Sequence, residues 1–504
     1  PPPPPPPFFF QAEDGIREQP RSRGLGMCIR DRMIPNGSTA SDPITVNAPY
    51  DGSAIAIVDT ADGGAVETAL ANAHALFRDR DKWIGVPQRI EILEGVIDII
   101  AADADTFAIE AAREGGKPLI DSQVEVARAI DSLKLCIETL RTESGSVIPM
   151  GVNAASVNRL AVTRHEPIGV VVAVSAFNHP LNLVAHQIGP AIAAGCPVLI
   201  KPAGDTPLSC MRLVQALRKA GLPDAWCQPV VTATRDVATD LVTDPRVAFF
   251  SFIGSADVGW RLRAQLSPGT RAALEHGGAA PVILAPDADM NVALPAILKG
   301  GFYHAGQVCV SVQRVFAHQS IARDFAERLA GEAGKLVVGD PTDASTEVGP
   351  LIRPKEVARV DNWVGEARES GGDVLCGGAP VSESCYAPTV IYDPPGDAQV
   401  SCREIFGPVV CVYPYSDIDG AITKANSLDY AFQASVFTQD MDIAMRAYAR
   451  LDATAVMVND HTAFRVDWMP FAGLRQSGLG VGGIPHTMHE MQIEKMLVIK
   501  SAEL

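Results

Sequence analysis

Nearly continuous apolar, β-branched runs alternating with helix-length segments predict an α/β fold built on a doubly wound parallel sheet. Residues 169–174 (Gly-Val-Val-Val-Ala-Val) and 197–200 (Pro-Val-Leu-Ile) are the clearest strands. Between them, 183–194 is an apolar helix closed by Gly195. After the second strand, Thr206-Pro207 offers a cap residue and a first-turn proline. Leu208, Met211, Val214 and Leu217 then recur on one face, and Gly221 marks the stop. With 504 residues, 47% hydrophobic and 20% charged, the chain has material for two or three domains with buried cores.

Composition argues against several classes of function. A net charge of −17 opposes an electrostatic hold on nucleic acid or on an anionic membrane. The ten cysteines show neither a CxxC pair nor zinc-ligand spacing, so no metal is expected. No apolar run approaches the roughly 18 residues of a membrane span. No secretory leader is evident, which with the cysteine pattern points to the cytoplasm. Residues 1–32, from the proline run through Phe8-Phe9-Phe10 to Arg21-Ser22-Arg23-Gly24, resemble a leader made by translating sequencing-adapter DNA; Met33 is the expected start.

Beyond that leader the elements follow in order. Asp51-Gly52 marks a turn, 55–58 alternates like a strand, and 64–77 and 87–102 carry apolar residues at helical spacing. Gly115-Gly116 and Pro118 separate one helix from the next, which runs to Leu140 and on which Arg128 reads as a solvated face residue. Residues 147–149 form a loop and 160–166 an extended ribbon. The strand at 169–174 leaves through Ser175-Ala176-Phe177-Asn178-His179-Pro180, a polar loop at a carboxyl end, where open α/β sheets place ligands. Asn178 is there either an amide donor to a developing oxyanion or a turn former, and His179 reads as a packed loop histidine. Lys201, just past the second strand, is either a ribose or phosphate contact or a surface lysine.

Strands at 229–231 and 247–252 come next, the latter running into Gly254-Ser255 and a helix that carries Gly259. Backbone N–H groups at that helix start suit a pyrophosphate, or the serine simply caps the helix. Glu275, beside Gly277-Gly278 and ahead of a strand at 281–284, is a candidate general base or an ordinary surface acid. After a helical stretch from Val292, Gly306-Gln307-Val308-Cys309 presents a thiol that is a nucleophile for an aldehyde carbonyl or an inert core cysteine. A strand resumes at 313–316. Glu404-Ile405-Phe406-Gly407-Pro408 joins an acid, an aromatic and a turn; 456–460 reads as one more strand, and glycine-rich loops occupy 470–473 and 476–480.

From Asp42 to the C-terminus, Phe177-Asn178-His179-Pro180, Lys201-Pro202-Ala203, Gly254-Ser255, Glu275 with Gly277-Gly278, Gly306-Gln307-Val308-Cys309 and 404–408 stand in an order that resembles the aldehyde dehydrogenase superfamily. The resemblance implies NAD(P)-dependent oxidation of an aldehyde to its acid by a homodimer or homotetramer. It implies a Rossmann-like cofactor domain at 42–143 and 164–275, an α/β catalytic domain at 276–480, and a β-ribbon oligomerisation arm at 144–163 and 481–504. It makes Cys309 the nucleophile, Asn178 with the Cys309 backbone N–H the oxyanion hole, and Glu275 the base for the deacylating water. NAD or NADP then falls to Ala176, Phe177, Lys201, Gly204, Gly254, Ser255, Glu404 and Phe406.

Several positions depart from the family pattern. Gly204 stands where many NAD-preferring relatives carry the acid that holds the adenosine ribose and repels a 2′-phosphate, which leaves NADP use open. His276 and Ala279 stand where Leu and Asn or Lys are usual. The motif set resembles the branch handling lactaldehyde, phosphonoacetaldehyde and phosphorylated or sulfonated trioses. In that branch Arg465 and His461 are expected at the substrate entrance, Arg465 either gripping an anionic end or pairing with Asp467 to brace the loop. Val308 replaces a second arginine common in phosphate-binding relatives, so the anion site reads as half built. Two competing readings are a CoA-acylating semialdehyde dehydrogenase, whose relatives typically lack the acid at Glu275, and a non-catalytic structural relative, expected to lose Cys309 or Glu275.

Overall fold

The computed structural model describes residues 28–29, 41–232 and 234–504. The expected leader and Met33 lie outside the described residues, except for Cys28–Ile29, whose backbone pairs in parallel with Ile57 and Val58.

Two largely parallel sheets organise the chain. The first runs in the order Gly478–Leu479, Arg271–Glu275, Val247–Ile253, Val170–Val174, Val198–Lys201, Cys227–Pro229. Only Gly478–Leu479 pairs antiparallel. Strand order reverses between Val170–Val174 and Val247–Ile253, the switch point at which doubly wound sheets open a ligand crevice. Val171, Val172, Ala173, Leu199 and Ile200 are fully buried, as strands covered on both faces require, and the helix Asn182–Ala194 is buried at every position.

The second sheet has the order Asp373–Cys376, Thr389–Tyr392, Val409–Tyr415, Val312–His318, Ala280–Leu284, Gln433–Phe437, Ala455–Val458, with only its first pair antiparallel. It packs around its own core, which includes Ile283, Phe316, Val360 and Phe437. The chain crosses from one sheet to the other within 276–279, between the end of Arg271–Glu275 and the start of Ala280–Leu284. Carboxyl ends of the first sheet therefore face amino ends of the second.

A third, outlying sheet pairs Gln492–Lys500 antiparallel with Arg159–Pro167 over nine residues, and Val147–Ile148 with the other edge. The arm expected at 144–163 and 481–504 overlaps this ribbon without coinciding with it. The strand continues to Pro167, and Ile484, Met488 and Met491 are buried in the core of the first sheet.

Where the sequence reads Thr206 as a helix cap, the structure differs. The helix starts at Leu208 without a side-chain bond from the preceding residue. Its first N–H groups, on Leu208 and Ser209, donate instead to the buried Glu114 carboxylate at 2.7 and 2.8 Å. The expected stop at Gly115-Gly116 is present: Gly116 is left-handed at φ 73°, and a Cβ there would lie 2.9 Å from the Pro350 ring.

Candidate active site

A cleft of about 750 Å³ lies where the two sheets meet. Its wall brings together Cys309, Glu275, Asn178, Ala176, Phe177, Gly204, Gly254, Ser255, Glu404, Phe406 and Arg465. Two predicted site residues are not on it. Lys201 ends its strand with Nζ 3.3 Å from the Pro202 carbonyl. His461 is drawn onto the helix Met290–Phe302, its Cβ occupying the space that a side chain at Gly300 would need (2.8 Å). His461 thus packs on that helix and lies off the cleft wall that carries Arg465.

The segment that carries Cys309 is bent sharply. His304, Ala305 and Gly306 are consecutive left-handed residues with φ of 48°, 53° and 69°, and a Cβ on Gly306 would lie 2.1 Å from the Gly407 carbonyl. Gln307 holds this bend: its Nε2 donates to the Pro350 carbonyl at 3.2 Å, and its Oε1 accepts from Ile352 N–H at 3.0 Å. Val308 and Val310 pack with Phe432 and Phe471, which leaves Cys309 between them facing the cleft. Asn178 Nδ2 donates to the Gln307 carbonyl at 2.9 Å. That bond uses one of the two amide hydrogens and sets the nitrogen toward the Cys309 loop, with the other hydrogen free to donate.

Burial pushes the Cys309 thiol up to about 12; Arg465 opposes the shift, while Glu275 and Glu404 reinforce it. Attack on a carbonyl therefore needs a proton acceptor. Glu275 lines the same cleft, and burial raises its own affinity for a proton, with Arg465 again opposing. Gly482 makes room for this carboxylate, since a Cβ there would lie 2.3 Å from Glu275 Oε1.

The opposite wall suits a dinucleotide. Ser175 Oγ is buried without a hydrogen-bond partner, and nothing lies within 4 Å of the Cβ position of Gly204. Glu404 accepts Gly278 N–H at 3.1 Å, a fit that needs Gly277 to lack a side chain, and burial pushes the Glu404 carboxyl up to about 7. Phe406 and Phe177 meet edge to face at 5.8 Å. His276 receives an account here: its Nδ1 lies 2.9 Å from the Gly254 carbonyl and its ring packs against Phe252 and Trp260, filling the space that Gly259 leaves.

Sequence reasoning missed the polar system behind Arg465. Arg128 is on the cleft wall, and its Nε donates to Asp467 Oδ2 at 3.1 Å alongside a second bond from Nη2 to Oδ1. Arg128, read above as a solvated residue, thus braces the loop, and Arg465 also pairs with Asp467, as one of its two expected roles requires. Arg465 Nη2 lies 3.1 Å from His186 Nδ1, and His186 Nε2 lies 2.9 Å from Asp467 Oδ1. Donation by Arg465 assigns the imidazole proton to Nε2, facing Asp467. Burial, then Arg465, push His186 down to about 4; burial works against the Asp467 carboxylate, but His186 and Arg128 outweigh it and hold it charged. Arg465 itself lies 3.6 Å above the Phe471 ring, with Nε buried without a hydrogen bond and 3.8 Å from Asp467 Oδ1. No local signal marks this system, because its members come from three distant segments.

Among the described residues no group of three or more His, Cys, Asp or Glu is placed to hold a metal ion, and no helix is long and apolar enough to cross a membrane.

The family profile described as the aldehyde dehydrogenase family matches residues 36–497. The chain is 37% identical over 412 residues to a 3-sulfolactaldehyde dehydrogenase of Priestia aryabhattai, covering 82% of this chain and 86% of that protein. A glyceraldehyde-3-phosphate dehydrogenase of Methanocaldococcus jannaschii, solved with NADP, superposes with a TM-score of 0.87 at 33% identity over 92% of this chain and 100% of that one. Aldehyde dehydrogenase 21 of Physcomitrella patens, solved with its reaction product succinate, superposes with a TM-score of 0.88 at 33% identity over 92% and 95%.

The crowding at Gly482 yields a test. Gly482→Ala is expected to displace the Glu275 carboxylate and slow steady-state turnover on the order of 10²-fold, the usual scale of lost acid–base assistance. The cleft's ability to bind a reduced dinucleotide should be retained. Unchanged kcat in that variant means Glu275 tolerates displacement and is not the base.

Proposed function

Because the chain belongs to the aldehyde dehydrogenase family, we propose that it oxidises a short aldehyde with a polar or anionic end to the carboxylic acid, using NAD or NADP. The observation that carries the substrate class is Arg465: a guanidinium in the same cleft as Cys309 and Glu275, with His186 as its single hydrogen-bond partner. Arg128, on the helix Leu119–Thr142, lines the same cleft with its charge paired to Asp467, so Arg465 is the guanidinium that would meet an anionic end. The curated relative acts on a sulfonated triose aldehyde by its name, and the two solved relatives bear the names of a phosphorylated substrate and a dicarboxylate product. Charge-assisted hydrogen bonds from Arg465 to such an end contribute roughly 1.5–3 kcal/mol each.

In this reading Cys309 Sγ attacks the aldehyde carbon as its proton leaves to Glu275. Asn178 Nδ2–H and the Cys309 backbone N–H hold the oxygen of the resulting thiohemiacetal. A nicotinamide held in this cleft would supply the hydride acceptor for oxidation to the thioester level. Once Glu275 has released the thiol's proton to solvent, it takes a proton from the water that attacks the thioester and returns it to the departing Cys309 sulfur as the acid leaves. Ser175, Gly204, Glu404 and Phe406 would hold the dinucleotide. A carboxylate at Glu275 favours water over CoA as the acyl acceptor.

The first sheet serves as the cofactor domain, the second as the catalytic domain and the ribbon as an arm joining copies of the chain. Met496, Leu497, Val498 and Ile499 are exposed on the outer ribbon strand, and Ala455–Val458 forms a free edge of the second sheet beside exposed Met441, Met445 and Tyr448. Open apolar edges of this kind pair with another chain. Every cysteine from Cys136 onward is free, in keeping with a cytoplasmic location.

Three outcomes test these assignments. Cys309→Ala should lower turnover by a factor on the order of 10³ or more while fluorescence titration still detects NAD(P)H binding. Glu275→Gln should keep a burst of reduced cofactor in stopped flow and lose the steady state; full steady-state activity at neutral pH removes Glu275 as the base. Arg465→Ala should raise KM for succinic semialdehyde or phosphonoacetaldehyde roughly 10- to 100-fold more than for lactaldehyde or hexanal, and equal losses across that panel, or hexanal as the best substrate of the parent enzyme, contradict the anion pocket. For the arm, Met496→Lys with Val498→Lys should convert the assembly to monomers by light scattering; an unchanged mass places the interface elsewhere.

A further inference from the structure

Beyond the substrate end, an ion pair spans the cleft. Asp205 lies in the loop after Val198–Lys201 of the first sheet, and Arg353 precedes the helix Pro354–Glu369 that packs on the second. Arg353 Nε donates to Asp205 Oδ1 at 2.9 Å and Nη2 to Oδ2, and both residues line the cleft. The side chains are 45% and 27% exposed, so the pair adds little to stability, and bracing alone is a poor reason to place it over a ligand site. The neighbouring charges on that wall, Glu356 and Arg359, satisfy each other at 2.8 Å, and Arg359 also donates to the Ile405 carbonyl at 2.8 Å. Arg353 is thus a cation whose hydrogen bonds go to one half-exposed acid, and that acid adjoins Gly204 and the open space around it.

We propose that Arg353 and Asp205 form the subsite that reads the 2′ position of the adenosine ribose, Asp205 accepting from the hydroxyl of NAD and Arg353 pairing with the 2′-phosphate of NADP. The proposal rests on the dinucleotide reading above. The acid absent from Gly204 is in effect moved one residue along and balanced by a guanidinium from the other domain. A planar guanidinium meets a phosphate through two parallel N–H···O bonds, whereas a carboxylate accepts from a diol and repels a phosphate dianion. The two ends of one ion pair therefore favour different cofactors, and removing either should move the preference in opposite directions.

The test is a fluorescence titration of the full-length protein with NADPH and NADH, in the parent and in Arg353→Ala and Asp205→Ala. Arg353→Ala is expected to weaken NADPH at least tenfold relative to NADH; Asp205→Ala is expected to shift the ratio about tenfold toward NADPH. Arg353→Lys and Asp205→Asn, which preserve size, guard against loss of fold and should move the ratios in the same directions by less. Equal changes in both dissociation constants, or an unmoved ratio in both variants, mean that the pair is only an interdomain brace and overturn the proposal. A parent protein that binds neither reduced cofactor instead refutes the dinucleotide reading beneath it.

Discussion

Lys117 and Glu125 meet beneath the cleft with essentially no exposure of either side chain, and the loop that carries Asn178 is fastened to them. Lys117 bonds one Glu125 oxygen and lies 2.6 Å from His179 Nδ1; the other Glu125 oxygen accepts the N–H groups of Leu181 and Asn182, each at 2.9 Å. Removing two charges from water is costly, and the arrangement is tolerable because the remaining polar positions find partners. Burial, with Lys117 next, holds His179 well below its usual range, so the ring stays neutral with its proton on Nε2. Arg128 follows Glu125 by one turn on the same helix, Leu119–Thr142. A single helix thereby holds the Asn178 loop through Glu125 and the Arg465 loop through Arg128.

The opposed strand ends explain why the functional residues converge. Glu275 terminates a strand of the first sheet, and Asn178 and Gly254 follow two others; Cys309 and Glu404 precede strands of the second. Glycines make the close approach possible. Gly277 clears Glu404, Gly482 clears Glu275, and Gly306 clears the Gly407 carbonyl. Of these, Gly277 clears a residue that precedes a strand of the other sheet, whereas Gly306 and Gly407 both precede strands of the second.

That geometry also sets what a sequence discloses. The strands and most helices are legible because they depend on local periodicity and on glycine or proline at their ends. Asn178, Glu275, Cys309 and Glu404 are legible because each sits in a compact motif, and all four line one cleft. Arg128 is not, since its partner Asp467 is 339 residues away and a basic residue on a helix normally faces water. The Glu114 cap hides for the same reason, 94 residues from Leu208. His461 misleads in another way: Thr462 Oγ1 bonds the Val310 carbonyl at 2.7 Å, and the loop delivers Arg465, but not His461, to the cleft.

Arg465 is coupled to the chemistry as well as to recognition. It is the cation that lowers the proton affinity of both Cys309 and Glu275, against the burial that raises them. An anionic substrate end seated on Arg465 offsets that influence and raises both groups together. The thiol then becomes harder to ionise while the carboxylate becomes a stronger base. A preformed thiolate would lose population on binding such a substrate, whereas passage of the proton from the thiol to Glu275 during attack depends on the difference between two proton affinities that rise together, so the shift largely cancels. The electrostatics of this cleft therefore match proton transfer coupled to carbonyl attack better than a preformed thiolate.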